Sequence, residues 1–163
     1  MPWPDGRRAT PGYGAAVPKI DVVDEAFVVA DPADLAARLA RPELWRDWWP
    51  SLELTVFMDR GIKGTRWSIS GELHGSMELW LEPWHDGVIV HWYLRADPVR
   101  EGADVTRLRR HYVLGHKRQV NALKDHLESG RLPGEPRPPP AGSLRSDPPR
   151  GGMPWPTRPP RPS

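Results

Sequence analysis

The sequence predicts an α+β domain in which an antiparallel β-sheet wraps around a long C-terminal helix. Between Leu52 and Ala96, four segments alternate apolar and polar residues with a period of two, which is typical of strands with one face in solvent. From Asp104 to Ser129, apolar residues recur at helical spacing before Gly130, in a position where glycine commonly ends a helix. A helix of about 26 residues spans ~39 Å. Its apolar stripe therefore needs a long flat surface, and the sheet offers one.

A first strand and two short helices are predicted before these four strands. The segment Val22–Ala30 is rich in β-branched and aromatic residues, which favours a strand. Asp31 is placed to cap a helix that begins at Pro32 and ends near Ala40, because aspartate accepts hydrogen bonds from free helix N–H groups and proline fits the first turn. A second short helix is predicted at Pro42–Trp49, where three tryptophans occur within five residues.

The alternation assigns one set of apolar residues to the inner face of the sheet. Turns are expected at 59–61, 74–75 and 85–87, where glycine follows polar residues. The predicted inner face comprises Leu54, Val56, Met58, Trp67, Ile69, Leu73, Met77, Leu79, Val90, Trp92 and Leu94. The facing stripe of the long helix comprises Val105, Leu108, Tyr112, His116, Val120, Leu123 and Leu127. Gly115 lies beside this stripe and is expected to leave free volume there.

One domain is predicted, at residues 19–131, which is long enough for a single hydrophobic core. Residues 1–18 and 132–163 are predicted to be a disordered arm and a disordered tail. They hold many of the 21 prolines and too few large apolar residues to offset the entropy of ordering. The segment after Gly130 has six arginines and two acidic residues, a net charge of +4 in a chain whose net charge is +2, so residues 1–130 carry −2 and the domain itself is near neutral.

Composition excludes several classes of chemistry. The chain has no cysteine, so disulfides and thiolate catalysis are excluded. His111 and His116 lie about 140° apart around their helix, and the remaining histidines are scattered, so neither a metal site nor a cofactor is predicted. No apolar run reaches the ~20 residues of a membrane span, and a cytoplasmic location is expected. Neither a groove-binding motif for nucleic acid nor a hydrolase or nucleotide-binding motif is present.

Two stretches of the sequence resemble the START-like SRPBCC superfamily, the group that includes the polyketide cyclase/dehydrase family. The stretch AFVVADPADLAARLARPELWRDWWP resembles the opening strand and Trp-rich helices of these proteins, and LRRHYVLGHKRQVNALKDHLESG resembles their C-terminal helix. The resemblance implies a helix-grip fold with a cavity between sheet and helix. That family has six strands after the first, whereas four are predicted here. A shorter sheet leaves an exposed edge, which predicts a homodimer.

The resemblance implies that apolar residues of the sheet and polar residues of the helix line the cavity. Arg109, Tyr112 and His116 are the polar residues on or near the inner stripe, and they are the candidate catalytic residues. Arg109 and His116 lie about 10 Å apart along the helix and could fix a carboxylate or carbonyl oxygen. The predicted ligand-binding residues are Trp67, Ile69, Leu73, Met77, Leu79, Trp92, Leu94, Tyr112 and His116. The same residues could instead pack as a solid core, with Arg109 turned to solvent.

Three functions remain open from the sequence. The first is a module that binds or carries an apolar small molecule, such as a lipid or polyketide. The second is an enzyme of the cyclase or dehydratase type that uses His116, Tyr112 and Arg109. The third is a protein-interaction module with a solid core, acting through outward-facing tryptophans, Trp80 and Trp84, or through the Pro/Arg-rich tail.

Overall fold

The predicted order of elements is confirmed. The structure, a computed structural model, describes residues 16–132 and 134–137. Five strands and three helices follow one another as β1 (Ile20–Val28), α1 (Pro32–Leu39), α2 (Pro42–Trp48), β2 (Leu52–Asp59), β3 (Gly64–Gly71), β4 (Leu73–Trp84), β5 (Gly87–Pro98) and α3 (Val105–Leu127), with a 3-10 turn at Gly61–Lys63 between β2 and β3.

The five strands form one antiparallel sheet in the order β1-β5-β4-β3-β2. The last strand pairs with the first, from Ile20 opposite Ala96 to Val28 opposite Val88. The two short helices therefore carry the chain from one edge of the sheet to the other. They leave β1 and β2 as the two edge strands, and α3 returns across the inner face.

The hydrophobic core lies between the inner face of the sheet and α3. The predicted residues Trp67, Ile69, Leu73, Met77, Leu79, Trp92 and Leu94 are all buried there. From α3, the buried residues are Tyr112, His116, Val120 and Leu123, four members of the predicted stripe. The period-two and period-3.6 patterns therefore identified the two faces that meet.

Aspartates cap two of the helices. The Asp31 carboxylate accepts hydrogen bonds from the main-chain N–H groups of Ala33 and Asp34, at 3.0 and 3.2 Å. Asp104 precedes α3, and its Oδ1 accepts a hydrogen bond from the Arg107 main-chain N–H at 3.0 Å. Because the first turn of a helix has N–H groups without helical partners, both contacts stabilise the ends where they occur.

Replacing the cap of α3 tests this contribution. We expect Asp104→Ala to lower the free energy of unfolding by about 1 kcal/mol, because an N–H group at the start of α3 loses its acceptor. Asp104→Ser, which keeps an acceptor oxygen, is the matched control and should recover most of the loss. Urea denaturation followed by circular dichroism measures both. Equal loss in the two variants would contradict a capping role.

The turn predicted at 74–75 is wrong. His74 and Gly75 lie inside β4, and the connection from β3 is made at Gly71, which has a φ of +108°. The main-chain N–H of Glu72 then donates to the Ser51 carbonyl at 3.0 Å. Glycine is needed at position 75 for a different reason: a Cβ there would lie 2.1 Å from the carbonyl oxygen of Arg95 on the neighbouring strand. Gly75 therefore marks a place where two strands approach closely. From the sequence alone, a glycine of this kind cannot be distinguished from a glycine in a turn.

The inner-face assignment is wrong for Met58, which pairs with Arg66, whereas Val56 pairs with the inner-facing Trp67 but is not buried. The side chains of Val56 and Met58 are 47% and 42% exposed. The pairing of β2 with β3 shifts register between them, which is the signature of a β-bulge at Phe57. The bulge lies on an edge strand and interrupts the alternation, so the second half of β2 does not contribute to the core.

The predicted arm and tail lie mostly outside the described residues. Within the tail, the main-chain N–H of Arg137 donates to the Asp86 carboxylate at 3.1 Å. None of the helices between residues 16 and 137 is long and apolar enough to cross a membrane.

Candidate functional site

Five tryptophans and one histidine form an aromatic cluster under α3. Trp67 is the central ring, with Trp45 at 5.0 Å and Trp49 at 6.1 Å between ring centroids. Trp48 packs edge-on against Trp49, and His116 stacks on Trp92 with centroids 4.1 Å apart. These rings fill the space between the Trp-rich helix, the sheet and the middle of α3.

The sequence around α2 positions this cluster. The indole N–H of Trp45 donates to the Leu39 carbonyl at the end of α1, at 2.7 Å. At the other end of α2, the side-chain amide of Gln119 donates to the Trp48 carbonyl and joins the helix to α3. Both ends of this short helix are therefore fixed, which holds its tryptophans against the sheet.

His116 is a buried polar group with an unused nitrogen. The residue is 2% exposed, and its Nδ1 has no hydrogen-bond partner among the described residues. Burial lowers the pKa of His116 to about 4, Asp24 opposes this shift, and Lys117 adds to it. At neutral pH the imidazole is therefore uncharged, and it can donate one hydrogen bond and accept another.

Tyr112 lies one turn before His116 and links α3 to the turn between β3 and β4. Its hydroxyl donates a hydrogen bond to Glu72 Oε2 at 2.7 Å. Burial raises the pKa of the Tyr112 hydroxyl far above its usual value, and the hydrogen bond and charge of Glu72 raise it further. The phenol therefore remains protonated and acts as a hydrogen-bond donor.

A groove opens beside this contact and is named here the mouth groove. It has a volume of about 610 Å³ and lies between the β3–β4 turn, the β5–α3 loop and the first turns of α3. It is lined by Ser51, Gly71, Glu72, Pro98, Val99, Arg100, Ala103, Asp104, Arg107, Leu108 and His111. Charged groups and apolar surface therefore meet in one concave site.

A much smaller pocket, the inner pocket, lies between the end of α2 and the middle of α3, beside the aromatic cluster. It has a volume of about 30 Å³ and is lined by Trp48, Trp49, Pro50, Ser51, His111, Tyr112, Gly115, His116 and Gln119. Ser51 and His111 border both spaces. A Cβ at Gly115 would meet only the Arg118 guanidinium, at 4.0 Å. The free volume predicted beside Gly115 is therefore present.

The structure separates the predicted site residues into three groups. Tyr112 and His116 line the inner pocket together. Arg109 is exposed on α3 and joins neither space. The seven predicted residues of the sheet are buried in the core and border neither the mouth groove nor the inner pocket.

The mouth groove was not identified from the sequence. Its floor comes from a turn and a loop, at Glu72 and at residues 98–104, which have no periodic pattern. The only available signal was the polar segment before α3, in which Arg100 and Asp104 flank a glycine. Such a segment is typical of any loop, so it carries little information about a site.

Several polar atoms of the aromatic cluster and of Gln119 are buried without a partner among the described residues, and those of Trp49 and Gln119 border the inner pocket. The unpaired atoms are the indole nitrogens of Trp49, Trp67 and Trp92 and the side-chain oxygen of Gln119. Buried donors and acceptors are usually paired, since an unpaired one costs free energy. The aromatic cluster therefore holds unused hydrogen-bonding capacity next to the inner pocket.

The outer face of the sheet holds a different histidine in a structural role. His91 Nδ1 lies 2.9 Å from Glu25 Oε1, and its Nε2 lies 2.9 Å from Glu82 Oε2. The ring stacks on Trp80 with centroids 4.3 Å apart. These contacts join three neighbouring strands, β1, β5 and β4.

Across the described ranges, no group of three or more His, Asp or Glu residues could hold a metal ion.

The element order, the single antiparallel sheet and the gripping C-terminal helix define a helix-grip fold. ChR145 from Cytophaga hutchinsonii is similar over 68% of this chain and 95% of its own, with 12% identity and a TM-score of 0.51. The Aha1 dimer from Colwellia psychrerythraea covers 69% of this chain and 99% of its own, with 14% identity and a TM-score of 0.49. A START superfamily protein from Mycobacterium smegmatis is similar over 66% of this chain and 97% of its own, with 10% identity and a TM-score of 0.44.

At 12% identity, the TM-score of 0.51 with ChR145 supports a shared fold and nothing finer. No family model matches the chain, and no curated protein matches its sequence. The function must therefore be argued from the site itself.

Proposed function

We propose that the protein binds an apolar small molecule in the mouth groove, with Tyr112 and His116 at the inner end of the site. A volume of about 610 Å³ lies within the ~300–1,000 Å³ of typical small-molecule sites. Pro98, Val99 and Leu108 supply apolar surface. A few polar groups at the inner end would fix the orientation of the bound molecule.

One observation carries this proposal: a buried imidazole with an unused nitrogen beside a pocket that adjoins an open groove. His116 Nδ1 is buried without a partner, which is unfavourable in a purely structural residue. A ligand that reaches the inner pocket could supply the missing hydrogen bond. The uncharged state of His116, whose pKa is lowered to about 4, suits an apolar ligand.

Binding is better supported than catalysis. The enzyme hypothesis assigns acid–base roles to His116, Tyr112 and Arg109. The lowered pKa of His116 makes it a weak base at neutral pH, and the raised pKa of Tyr112 makes it a weak acid. Arg109 is exposed and lines neither the mouth groove nor the inner pocket. The three residues do not form one catalytic arrangement.

A fluorescence titration of the full chain tests the proposal. Fatty acids, aromatic polyketides and sterol-like compounds are added, and tryptophan emission is recorded. We expect at least one compound to give a saturable change, with a midpoint on the order of micromolar, because Trp48 and Trp49 line the inner pocket. Trp48→Phe should reduce the change, whereas Trp84→Phe, at an outer position that is 52% exposed, should preserve it.

A second pair of variants tests whether the ligand reaches the inner pocket. Gly115→Leu extends a side chain into the inner pocket and should weaken binding, whereas Gly115→Ala adds a single methyl group and should preserve it. If no compound changes the emission of the folded protein, the proposal fails. The protein-interaction hypothesis then gains support from the exposed apolar residues at the end of β2 and in the 3-10 turn that follows it, where Phe57 is 68% and Ile62 is 49% exposed.

A further inference from the structure

Two arginines that line the mouth groove have no ion-pair partner of their own in the described part of the chain. Arg100 and Arg107 both line the groove and are exposed. Across residues 16–132 and 134–137, no carboxylate lies within ion-pair distance of either guanidinium, whereas other arginines, such as Arg60 and Arg95, have acidic partners. The two side chains are therefore available to a bound anion.

The two carboxylates that line the same groove are already engaged. Glu72 accepts the Tyr112 hydroxyl at 2.7 Å. Asp104 accepts the main-chain N–H of Arg107 at 3.0 Å as the cap of α3. Each carboxylate therefore has a structural role, and neither pairs with an arginine of the groove.

Arg107 lies at the positive end of the α3 dipole, beside the Asp104 carboxylate that caps the same end. The first turn of α3, which contains Arg107, has no acidic residue. The helix dipole disfavours a positive charge at this end by a few tenths of a kcal/mol up to about 1 kcal/mol. A negative group in the mouth groove would add to the effect of Asp104, because it would interact favourably with both the guanidinium and the helix end.

We infer that the bound molecule carries a single carboxylate on a largely apolar body, with the carboxylate against Arg100 and Arg107 and the body against Val99 and Leu108. The inference rests on the proposed function and narrows its ligand class. A guanidinium can donate two parallel hydrogen bonds to one carboxylate, which gives orientation as well as affinity. Two arginines beside two engaged carboxylates leave the groove near neutral, so a single negative charge fits better than a dianion.

A matched pair of probes tests the inference. Sodium dodecanoate and 1-dodecanol share a chain length and differ in charge, and calorimetry with the full chain measures the affinity of each. We expect the acid to bind at least about tenfold more tightly than the alcohol. The ratio of the two affinities should fall as sodium chloride is raised, because ions screen an exposed charge pair.

Arginine substitutions test whether the preference for the acid over the alcohol arises in the mouth groove. Arg100→Gln and Arg107→Gln should each reduce the acid-to-alcohol affinity ratio severalfold, up to about tenfold. Arg118→Gln removes the same charge from the exposed face of α3 outside the mouth groove, and it should leave the ratio unchanged. Equal loss in Arg118→Gln would mean diffuse attraction to a basic helix and would overturn the inference.

The possible outcomes separate the inference from the proposed function. If the acid and the alcohol bind equally and the arginine variants have no effect, the inference is wrong while the binding function stands. If neither probe binds and the wider panel also gives no response, both are wrong.

Discussion

Trp67→Ala is expected to lower the free energy of unfolding by about 3–5 kcal/mol, the range observed when a large buried aromatic side chain is deleted. Trp67 is fully buried, and its ring contacts Trp45 and Trp49 on α2 and its C-cap. Removing the indole would leave a cavity lined by large rings that have little room to move together. Its indole N–H has no partner, so no hydrogen bond is lost and the cost comes from packing.

Two further variants make the Trp67 measurement interpretable. Trp67→Phe keeps most of the ring volume and should lose less stability than Trp67→Ala. Trp84→Ala removes a side chain that is 52% exposed on the outer face, and its cost should stay within about 0.5 kcal/mol. Urea denaturation monitored by circular dichroism gives all three values. A small loss for Trp67→Ala would mean that the aromatic cluster is loosely packed.

His116 is expected to make the protein less stable in acid, by about 3 kcal/mol between pH 7 and pH 4. Burial lowers the pKa of His116 from 6.5 to about 4 in the folded protein. The unfolded chain therefore takes up its proton first as the pH falls. The stability linked to this residue is fully present above pH 6.5 and is lost progressively down to about pH 4.

The comparison of two histidine variants isolates this contribution. His116→Phe keeps an aromatic ring against Trp92 and cannot be protonated, so the difference in unfolding free energy between pH 7 and pH 4 should shrink by about 3 kcal/mol. His126→Gln alters an exposed position near the end of α3 and should leave the pH dependence as it was. An unchanged slope in His116→Phe would show that the imidazole is charged or solvated in the folded state.

The fold was predictable because its signals are periodic. Alternation in four strands and one long amphipathic stripe identified the sheet, the helix and the faces that meet. Asp31 and Asp104 marked helix starts, since a cap acts locally and can be recognised in a short window. The errors occurred where a local pattern has two physical causes. Glycine at position 75 marks a close strand approach, and a bulge after Val56 interrupts the alternation before Met58.

The site was only half predictable. Tyr112 and His116 lie on a periodic stripe, so their inward position followed from the sequence. The mouth groove depends on Ser51, Glu72 and Arg100, which three separate connections bring together. No local sequence pattern indicates that these three residues lie close together in the fold. Whether the inner face encloses free space was equally hidden, because it depends on how five tryptophans pack rather than on which residues face inward.

The location of the ligand is the most direct test of this account. Amide proton–nitrogen correlation spectra of the full chain, recorded with and without each compound of the panel, report which residues sense a bound molecule. We predict that a binding compound shifts the signals of Ser51, Glu72, Val99 and Tyr112, which border or adjoin the mouth groove. Shifts confined to the exposed end of β2, or no shifts with any compound, would contradict a small-molecule site at this groove.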